Sequence, residues 1–292
     1  MSKNTKDNIE LNTIYYGDSY NLFDIVPNDF VDLIITSPPY AKMTKYGKDI
    51  DTFSPDKYND WFIPIIIKMF KSLKETGSFI LNINDNISNL ERSIYVYELI
   101  VRIKKETGFQ FYDRYIWYKK SGLPTGGQQF RPMDRIEYLF HFAKDVKSVK
   151  SYIDRIREPY AASTLSRMQY DVGIHDEIDE NGKTKTKKRR ITPNVLGKVP
   201  DNVFRFPTAG VLKNKGAKHP APFHSDMPEY FIKWLTDEND VVLDPFMGTG
   251  TTAFAAKKLN RNYVGFEKNK SYQSYIENRL NSVISPKDNL FF

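Results

Sequence analysis

The 292-residue chain contains no cysteine. Disulfides, thiolate metal sites and a sulfur nucleophile are therefore excluded. Histidine is scarce. The four that occur, His141, His175, His219 and His224, show no spacing that would gather them around a metal, so no metal is expected and each reads as structural. Long apolar runs are also missing. The longest, residues 61–67, is interrupted by Pro64 and falls far short of the ~20 residues needed to cross a bilayer. The opening Met1-Ser-Lys-Asn-Thr-Lys lacks the apolar segment of a signal peptide. These absences lead to the expectation of a soluble, cytoplasmic protein with no membrane partner.

Apolar residues make up 40% of the chain, enough for the core of one large α/β domain or one domain carrying an insertion. The net charge is +7 and the pI near 9.1, a balance that suits a polyanionic partner. Residues 183–190 read Lys-Thr-Lys-Thr-Lys-Lys-Arg-Arg, six positive charges in eight positions. Alone, such a run reads as a solvated loop.

Regular signals run through both ends of the chain. Residues 14–16, 31–36, 77–84, 109–118, 136–142, 241–243 and 263–266 read as strands. Ser54 before Pro55 marks a helix start. That helix is expected to run to about Glu75, with Pro64 kinking or dividing it and Gly77 closing it. Ser88-Asn-Leu-Glu91 reads as a capping box opening a helix that ends before Gly108. Further helices are expected at 228–236, 251–259 and 269–283. Residues 145–215 are polar and basic with weak periodicity, too long for an ordinary loop, and read as an inserted element between parts at 1–144 and 216–292.

Two strings carry chemistry. Residues 32–40 read Asp-Leu-Ile-Ile-Thr-Ser37-Pro38-Pro39-Tyr40, and residues 241–252 read Val-Val-Leu-Asp244-Pro245-Phe246-Met247-Gly248-Thr249-Gly250-Thr251-Thr252. Each is an apolar run ending in a turn of small or polar residues. A buried parallel strand delivers a loop to the carboxyl edge of an α/β sheet in this way, and ligands bind at that edge. Glycines at 248 and 250 allow close backbone approach to a ligand, and the helix that follows offers free amides to a carboxylate. Glu267 ends the next strand, where a carboxylate can accept both hydroxyls of a ribose. In the first string, the paired prolines fix a turn in which Ser37 Oγ and the Pro38 carbonyl are aimed as acceptors. Tyr40 offers a face for stacking a base.

Together these strings resemble the amino-methyltransferases of DNA, which methylate the exocyclic nitrogen of cytosine or adenine using S-adenosylmethionine. The catalytic string comes first, the permuted order of that family's β class. The resemblance implies a doubly wound, mostly parallel Rossmann-like sheet, circularly permuted, with 145–215 as the target-recognition region. It implies a cofactor site of Asp18 (near the adenine amino group), Asp244, Pro245, Phe246, Gly248, Thr249, Gly250, Thr251, Thr252 and Glu267, with Phe223 in a lid over the methionine end. Catalysis falls to Ser37, Pro38, Pro39 and Tyr40, acting on a base rotated out of double-stranded DNA, with direct in-line methyl transfer. Beside these motifs, Lys187, Lys188, Arg189 and Arg190 read as a phosphate-contacting loop. The absence of cysteine sets aside the ring-carbon cytosine methyltransferases. The implied setting is prokaryotic or phage-encoded, with a cognate restriction endonuclease or none, and with a monomer or a homodimer as the expected assembly.

Serine at the first position of the catalytic turn is that family's usual mark of N4-cytosine enzymes, with N6-adenine the alternative. Two other readings stay open. Gly248-Thr-Gly250-Thr-Thr-Ala253 formally fits a dinucleotide-binding fingerprint, although the Ser-Pro-Pro-Tyr turn has no place in that account. A non-catalytic DNA-binding protein on a decayed scaffold is the other, opposed by the intact Ser37, Tyr40, Asp244 and Glu267.

Overall fold

The computed structural model describes residues 9–41, 53–88, 90–119, 131–168, 172–178, 180–189, 192–207 and 224–283. In chain order the elements begin with β1 (Thr13–Tyr16), α1 (Ser19–Leu22), β2 (Val31–Thr36), α2 (Pro55–Ser72) and β3 (Leu73–Ile83). A hairpin of β4 (Ile87–Ser88) and β5 (Glu91–Arg92) leads to α3 (Tyr95–Glu106), β6 (Gln110–Tyr118) and β7 (Ile136–Ala143). Then come α4 (Ala162–Arg167), β8 (Val172–Ile178), β9 (Thr184–Arg189) and β10 (Val203–Phe204). The chain continues through α5 (Asp226–Leu235), β11 (Val241–Asp244), α6 (Thr251–Lys258), β12 (Asn262–Glu267) and α7 (Gln273–Asn281). Two compact units result: Met1–Ser151 with Asn202–Phe292, and Tyr152–Asp201.

The larger unit is built on an eight-stranded sheet in the order β1-β12-β11-β2-β3-β7-β6-β10. From β1 to β3 every pairing is parallel. β7 runs antiparallel to both β3 and β6, and β10 rejoins β6 in parallel. The carboxyl ends of β1, β12, β11, β2, β3 and β6 therefore share one edge with the amino end of β7. β11 and β2 lie side by side although some two hundred residues separate them in the chain. The sheet grows outward from this pair in both directions, which makes it the topological switch point where α/β folds open a crevice.

Alternation along the strands feeds two cores. Phe79, Leu81 and Ile83 of β3 and Phe140 and Phe142 of β7 join Phe62, Ile66 and Met69 of α2 and Leu99 and Ile103 of α3 on one face. On the other, Tyr115 of β6 packs against Phe231 and Trp234 of α5 and Phe204 of β10. His141 is sealed in this second layer. Its Nε2 meets Ser78 Oγ at 2.9 Å and its Nδ1 meets the Tyr115 hydroxyl at 3.1 Å. Burial pushes its pKa down to about 3, so the ring is neutral and structural. Helices on both faces give the doubly wound arrangement implied by the motifs.

Several local expectations need correction. The helix starting at Pro55 ends at Ser72 rather than near Glu75, and Pro64 lies within it without dividing it. Its last carbonyls are taken up by the segment ahead of β2: Asp29 N donates to Lys71 O and Phe30 N to Ser72 O. Gly77 belongs to β3, not to a helix cap. The β2–β3 register jumps there from Val31↔Leu73 to Leu33↔Ser78, and a Cβ on Gly77 would fall 2.8 Å from Leu73 Cδ1 and 3.0 Å from Asp32 O. The capping-box string forms the β4–β5 hairpin instead, with Leu90 at φ 65° in its turn, and the helix starts at Tyr95. Arg92 explains the difference, because it ties the hairpin to Asp85 and Asp134. The basic run is a strand, not a loop: β9 pairs antiparallel with β8, setting Lys187 opposite His175 and Lys188 opposite Gly173. Arg190 lies outside the described residues.

Among the described residues, no helix is long and apolar enough to cross a membrane, and no group of three or more His, Asp or Glu could hold a metal.

Candidate active site

At the switch point, Asp244 closes β11 and is almost wholly buried, with 1% of its surface exposed. One carboxylate oxygen accepts the Thr36 hydroxyl at 2.6 Å and the Phe246 N–H at 3.0 Å. The other accepts the Thr252 hydroxyl at 2.6 Å. Burial pushes its pKa up to about 6, opposed by the hydrogen bonds from Thr252, Thr36 and Phe246. Three elements thus converge on one carboxylate: the last residue of β2, the turn after β11, and the first turn of α6. Thr36 directly precedes Ser37. The Ser-Pro-Pro-Tyr string and the glycine string are therefore held by the same side chain.

The turn after β11 is shaped by two left-handed glycines, Gly248 at φ 54° and Gly250 at φ 77°. A Cβ on Gly250 would lie 3.0 Å from Ile276 Cγ2, so the residue is constrained on both counts. Gly250 caps α6. Glu267, at the end of β12, accepts the Gly248 N–H and the Asn269 N–H, each at 2.7 Å. Burial pushes its pKa up to about 7; the N–H bonds from Asn269 and Gly248 oppose this, and the nearby Asp244 adds to it. Met247 N donates to Phe266 O at 2.8 Å, which pins the same loop to β12. Phe246 packs its ring against Trp61 and Phe62 of α2. Pro245 O accepts the buried Ser19 hydroxyl, bringing in the loop after β1. There Asp18 is exposed and caps α1 by accepting Tyr20 N at 3.0 Å, while Gly17 N donates to Glu267 O. Asp18, Asp244, Glu267 and the glycine loop thus stand on adjacent strand ends.

The Ser37–Tyr40 turn leaves β2 on the other side of Asp244. Ser37 Oγ donates to the Tyr40 hydroxyl at 3.2 Å, and Tyr40 donates to Glu137 Oε2 at 2.9 Å. Asn82 Nδ2 also donates to Glu137 Oε2, at 3.1 Å, and Lys119 Nζ lies 2.5 Å from Glu137 Oε1. Pro38 is buried; Ser37 and Tyr40 are half-buried.

Residues that sequence reasoning missed are as informative. Thr36 was hidden because an apolar strand with a terminal threonine is unremarkable. Asn82 carried a faint signal, being polar within an apolar strand. Glu137 reaches the site from the amino end of the antiparallel β7 and Lys119 from just beyond the carboxyl end of β6, an approach that no spacing reveals. Arg279 of α7 donates to Thr251 Oγ1 at 2.8 Å and to Thr249 O at 3.4 Å and lies over Phe254; its burial lowers its pKa. Phe223 lies outside the described residues, and of the basic set, Lys187, Lys188 and Arg189 are placed by their backbone in β9, within the separate Tyr152–Asp201 unit.

A mostly parallel sheet with one antiparallel strand, and the glycine and Ser-Pro-Pro-Tyr turns flanking its switch point, define the methyltransferase fold. The chain belongs to the DNA methylase family, whose N6/N4 methyltransferase model matches residues 31–278, and it is a DNA methyltransferase of that N4/N6 class. The type II methyltransferase M.PvuII of Proteus hauseri is 28% identical, covering 89% of this chain and 81% of the relative. The DNA adenine methyltransferase YhdJ of Escherichia coli K12 is 26% identical, over 90% and 80%. Among solved structures, the cytosine-N4-specific PvuII DNA methyltransferase superposes with a TM-score of 0.69 at 24% identity, covering 95% of this chain and 89% of that one. The M1.HpyAVI–SAM complex matches with a TM-score of 0.56 at 20% identity, over 92% and 98%.

The convergence on Asp244 has a measurable cost if broken. Thr36→Val keeps shape and strand propensity but removes one donor from a buried carboxylate. Urea unfolding is expected to show a loss of about 1.5–3 kcal/mol. A loss under about 0.5 kcal/mol would mean that the bond is not part of the fold's support.

Proposed function

We propose that the chain transfers a methyl group from S-adenosylmethionine to N4 of cytosine in double-stranded DNA. The observation that carries this reading is Ser37: a short, neutral acceptor at the end of β2, one residue beyond the Thr36–Asp244 bond. An exocyclic amino group is a poor nucleophile because its lone pair is delocalised into the ring. Ser37 Oγ and the Pro38 carbonyl, accepting its two N–H groups, tilt the nitrogen toward tetrahedral geometry. The rigid turn sets these acceptors before the base arrives, so little reorganisation is needed. The target base reaches the pocket by rotation out of the duplex.

The residues at the neighbouring strand ends fit the cofactor. Gly248 and Gly250 remove side chains from the loop that must approach it, the amino end of α6 suits its carboxylate, and Glu267 suits its ribose hydroxyls. Asp18 serves the adenine end. Asp244, enclosed by its three donors, holds the loop. S-adenosylmethionine supplies an electrophilic methyl group; the chain supplies position and hydrogen bonds, with direct transfer and no covalent enzyme intermediate. The fold of the M1.HpyAVI–SAM complex supports this assignment, as the PvuII likeness supports cytosine. The YhdJ relationship supports the second reading, N6-adenine. The inserted stretch 145–215, which holds the compact Tyr152–Asp201 unit, is assigned to target recognition, with Lys187, Lys188, Arg189 and Arg190 on phosphates. The setting is a bacterial or phage restriction–modification system.

Methylated DNA, hydrolysed and analysed by mass, is expected to contain N4-methylcytosine; N6-methyladenine would establish the second reading. Ser37→Ala is expected to lower methyl transfer by at least ~10²-fold while leaving cofactor binding intact. Transfer at the parental rate would remove Ser37 from the mechanism.

Cofactor affinity should depend on pH through Glu267, whose carboxyl is pushed up to about 7. Its ionised form is the better acceptor for ribose hydroxyls, so binding releases a proton and affinity rises as pH increases through that value. Calorimetry from about pH 6 to pH 8 should show this rise, and Glu267→Gln should flatten it. An unchanged slope in the variant would move the ribose contact elsewhere.

Neutralising Lys187, Lys188, Arg189 and Arg190 together is expected to weaken DNA binding and reduce its salt dependence. A salt slope identical to the parent would leave β9 off the phosphates.

A further inference from the structure

The polar network behind Ser37 has a direction. Tyr40 has one hydroxyl proton. Among the described residues, Glu137 Oε2 at 2.9 Å and Asn82 Oδ1 at 3.3 Å lie within its reach as acceptors. The carboxylate is nearer and charged, so it takes the proton. With its proton committed, the Tyr40 oxygen faces Ser37 as an acceptor, and Ser37 donates to it at 3.2 Å. Ser37 Oγ then turns lone pairs, not a proton, toward the target amino group. Lys119 on Oε1 and Asn82 on Oε2 hold the carboxylate in place, and Asn82 is itself fixed by its bond to Tyr138 O at 3.2 Å.

We propose that Glu137 is a positioning residue for methyl transfer: acting through the Tyr40 hydroxyl, it fixes Ser37 as a hydrogen-bond acceptor for the target amino group. This rests on the role of Ser37 in the proposed function, and it holds for either base. It also gives Tyr40 a task beyond offering a ring, because its hydroxyl carries the polarity from the carboxylate to the serine. Successive hydrogen bonds polarise one another in the same sense, so Ser37 becomes a stronger acceptor than an isolated serine. Glu137 touches no reacting atom. A reversed relay, with Tyr40 donating to Ser37, would occupy a lone pair that the amino group needs.

Glu137→Gln tests the direction at nearly constant shape. Lys119 draws the amide oxygen, which leaves the amide nitrogen facing Tyr40, so the Tyr40 proton keeps the longer, uncharged acceptor Asn82 Oδ1 or turns to Ser37, and the direction of the relay is no longer fixed. Tyr40→Phe removes the relay. Single-turnover and steady-state methyl transfer into DNA would be read for both variants and for the double variant, with cofactor binding by calorimetry as the control for folding. Each single variant is expected to lower kcat by about tenfold to a hundredfold, short of the loss of a direct contact. The KM for S-adenosylmethionine should stay within about twofold, since the cofactor loop is untouched. The double variant should be no slower than the slower single one, because Glu137 acts only through the Tyr40 hydroxyl. Losses that multiply, or E137Q at the parental kcat, would overturn the proposal. If E137Q loses cofactor binding and hence its fold, Y40F decides alone: a parental kcat there would overturn it. A parent enzyme without methyl transfer, or an S37A enzyme at full rate, would instead count against the proposed function itself.

Discussion

The carboxylate of Asp244 is the constraint on which both halves of the site depend. A carboxylate almost fully removed from water is costly unless every oxygen is satisfied, and here Thr36, Thr252 and the Phe246 amide satisfy it. Each of the three donors lies in a different segment that must be placed: β2 before the Ser37–Tyr40 turn, α6 in its first turn, and the loop between β11 and α6. Burial pulls the group toward protonation, with its pKa pushed up to about 6, and the donors pull the other way. The same bonds that keep the charge tolerable therefore position the Ser37–Tyr40 turn and the glycine loop.

Glu267 repeats the arrangement one strand over, with two backbone amides as its donors. Because those amides belong to Gly248 and Asn269, the carboxylate sets the shape of the glycine loop and the start of the following segment. Beyond it, Gly17 and Ser19 tie the β1 loop to the same edge. On the far side of β2, Tyr40, Glu137, Asn82 and Lys119 form a second polar cluster. The edge is thus a row of polar anchors on an apolar sheet, each crossing from one strand to the next. The parallel strands together with the amino end of the antiparallel β7 supply the row, and the permuted chain order is immaterial to it, since β11 and β2 are neighbours only in space.

Much of this was legible in the residues. The strands carrying Ser37, Asp244 and Glu267 stand where apolar runs stop at polar turns, and β2 occupies residues 31–36 as read. That legibility comes from burial on both faces, which leaves an uninterrupted apolar signature. What stayed hidden is what depends on contacts distant in sequence. The Ser88–Glu91 string fits a capping box locally but is claimed by the Arg92 bridges to Asp85 and Asp134. The basic run alternates lysine with threonine over 183–187, a period of two, and folds as β9 paired with β8. Glu137 reads as the polar start of an aromatic strand; only the antiparallel course of β7 brings it to Tyr40.

If Asp244 joins the glycine loop to the Ser37–Tyr40 turn, ligand binding on one side should be felt on the other. Amide hydrogen exchange measured with and without S-adenosylmethionine tests this directly. The account predicts added protection at the glycine loop and also at the amides of Ser37, Tyr40 and Ala41, with the second set lost when Thr36 is replaced by valine. Protection confined to the glycine loop, or protection of the Ser37–Tyr40 turn that survives the loss of the Thr36 hydroxyl, would contradict it.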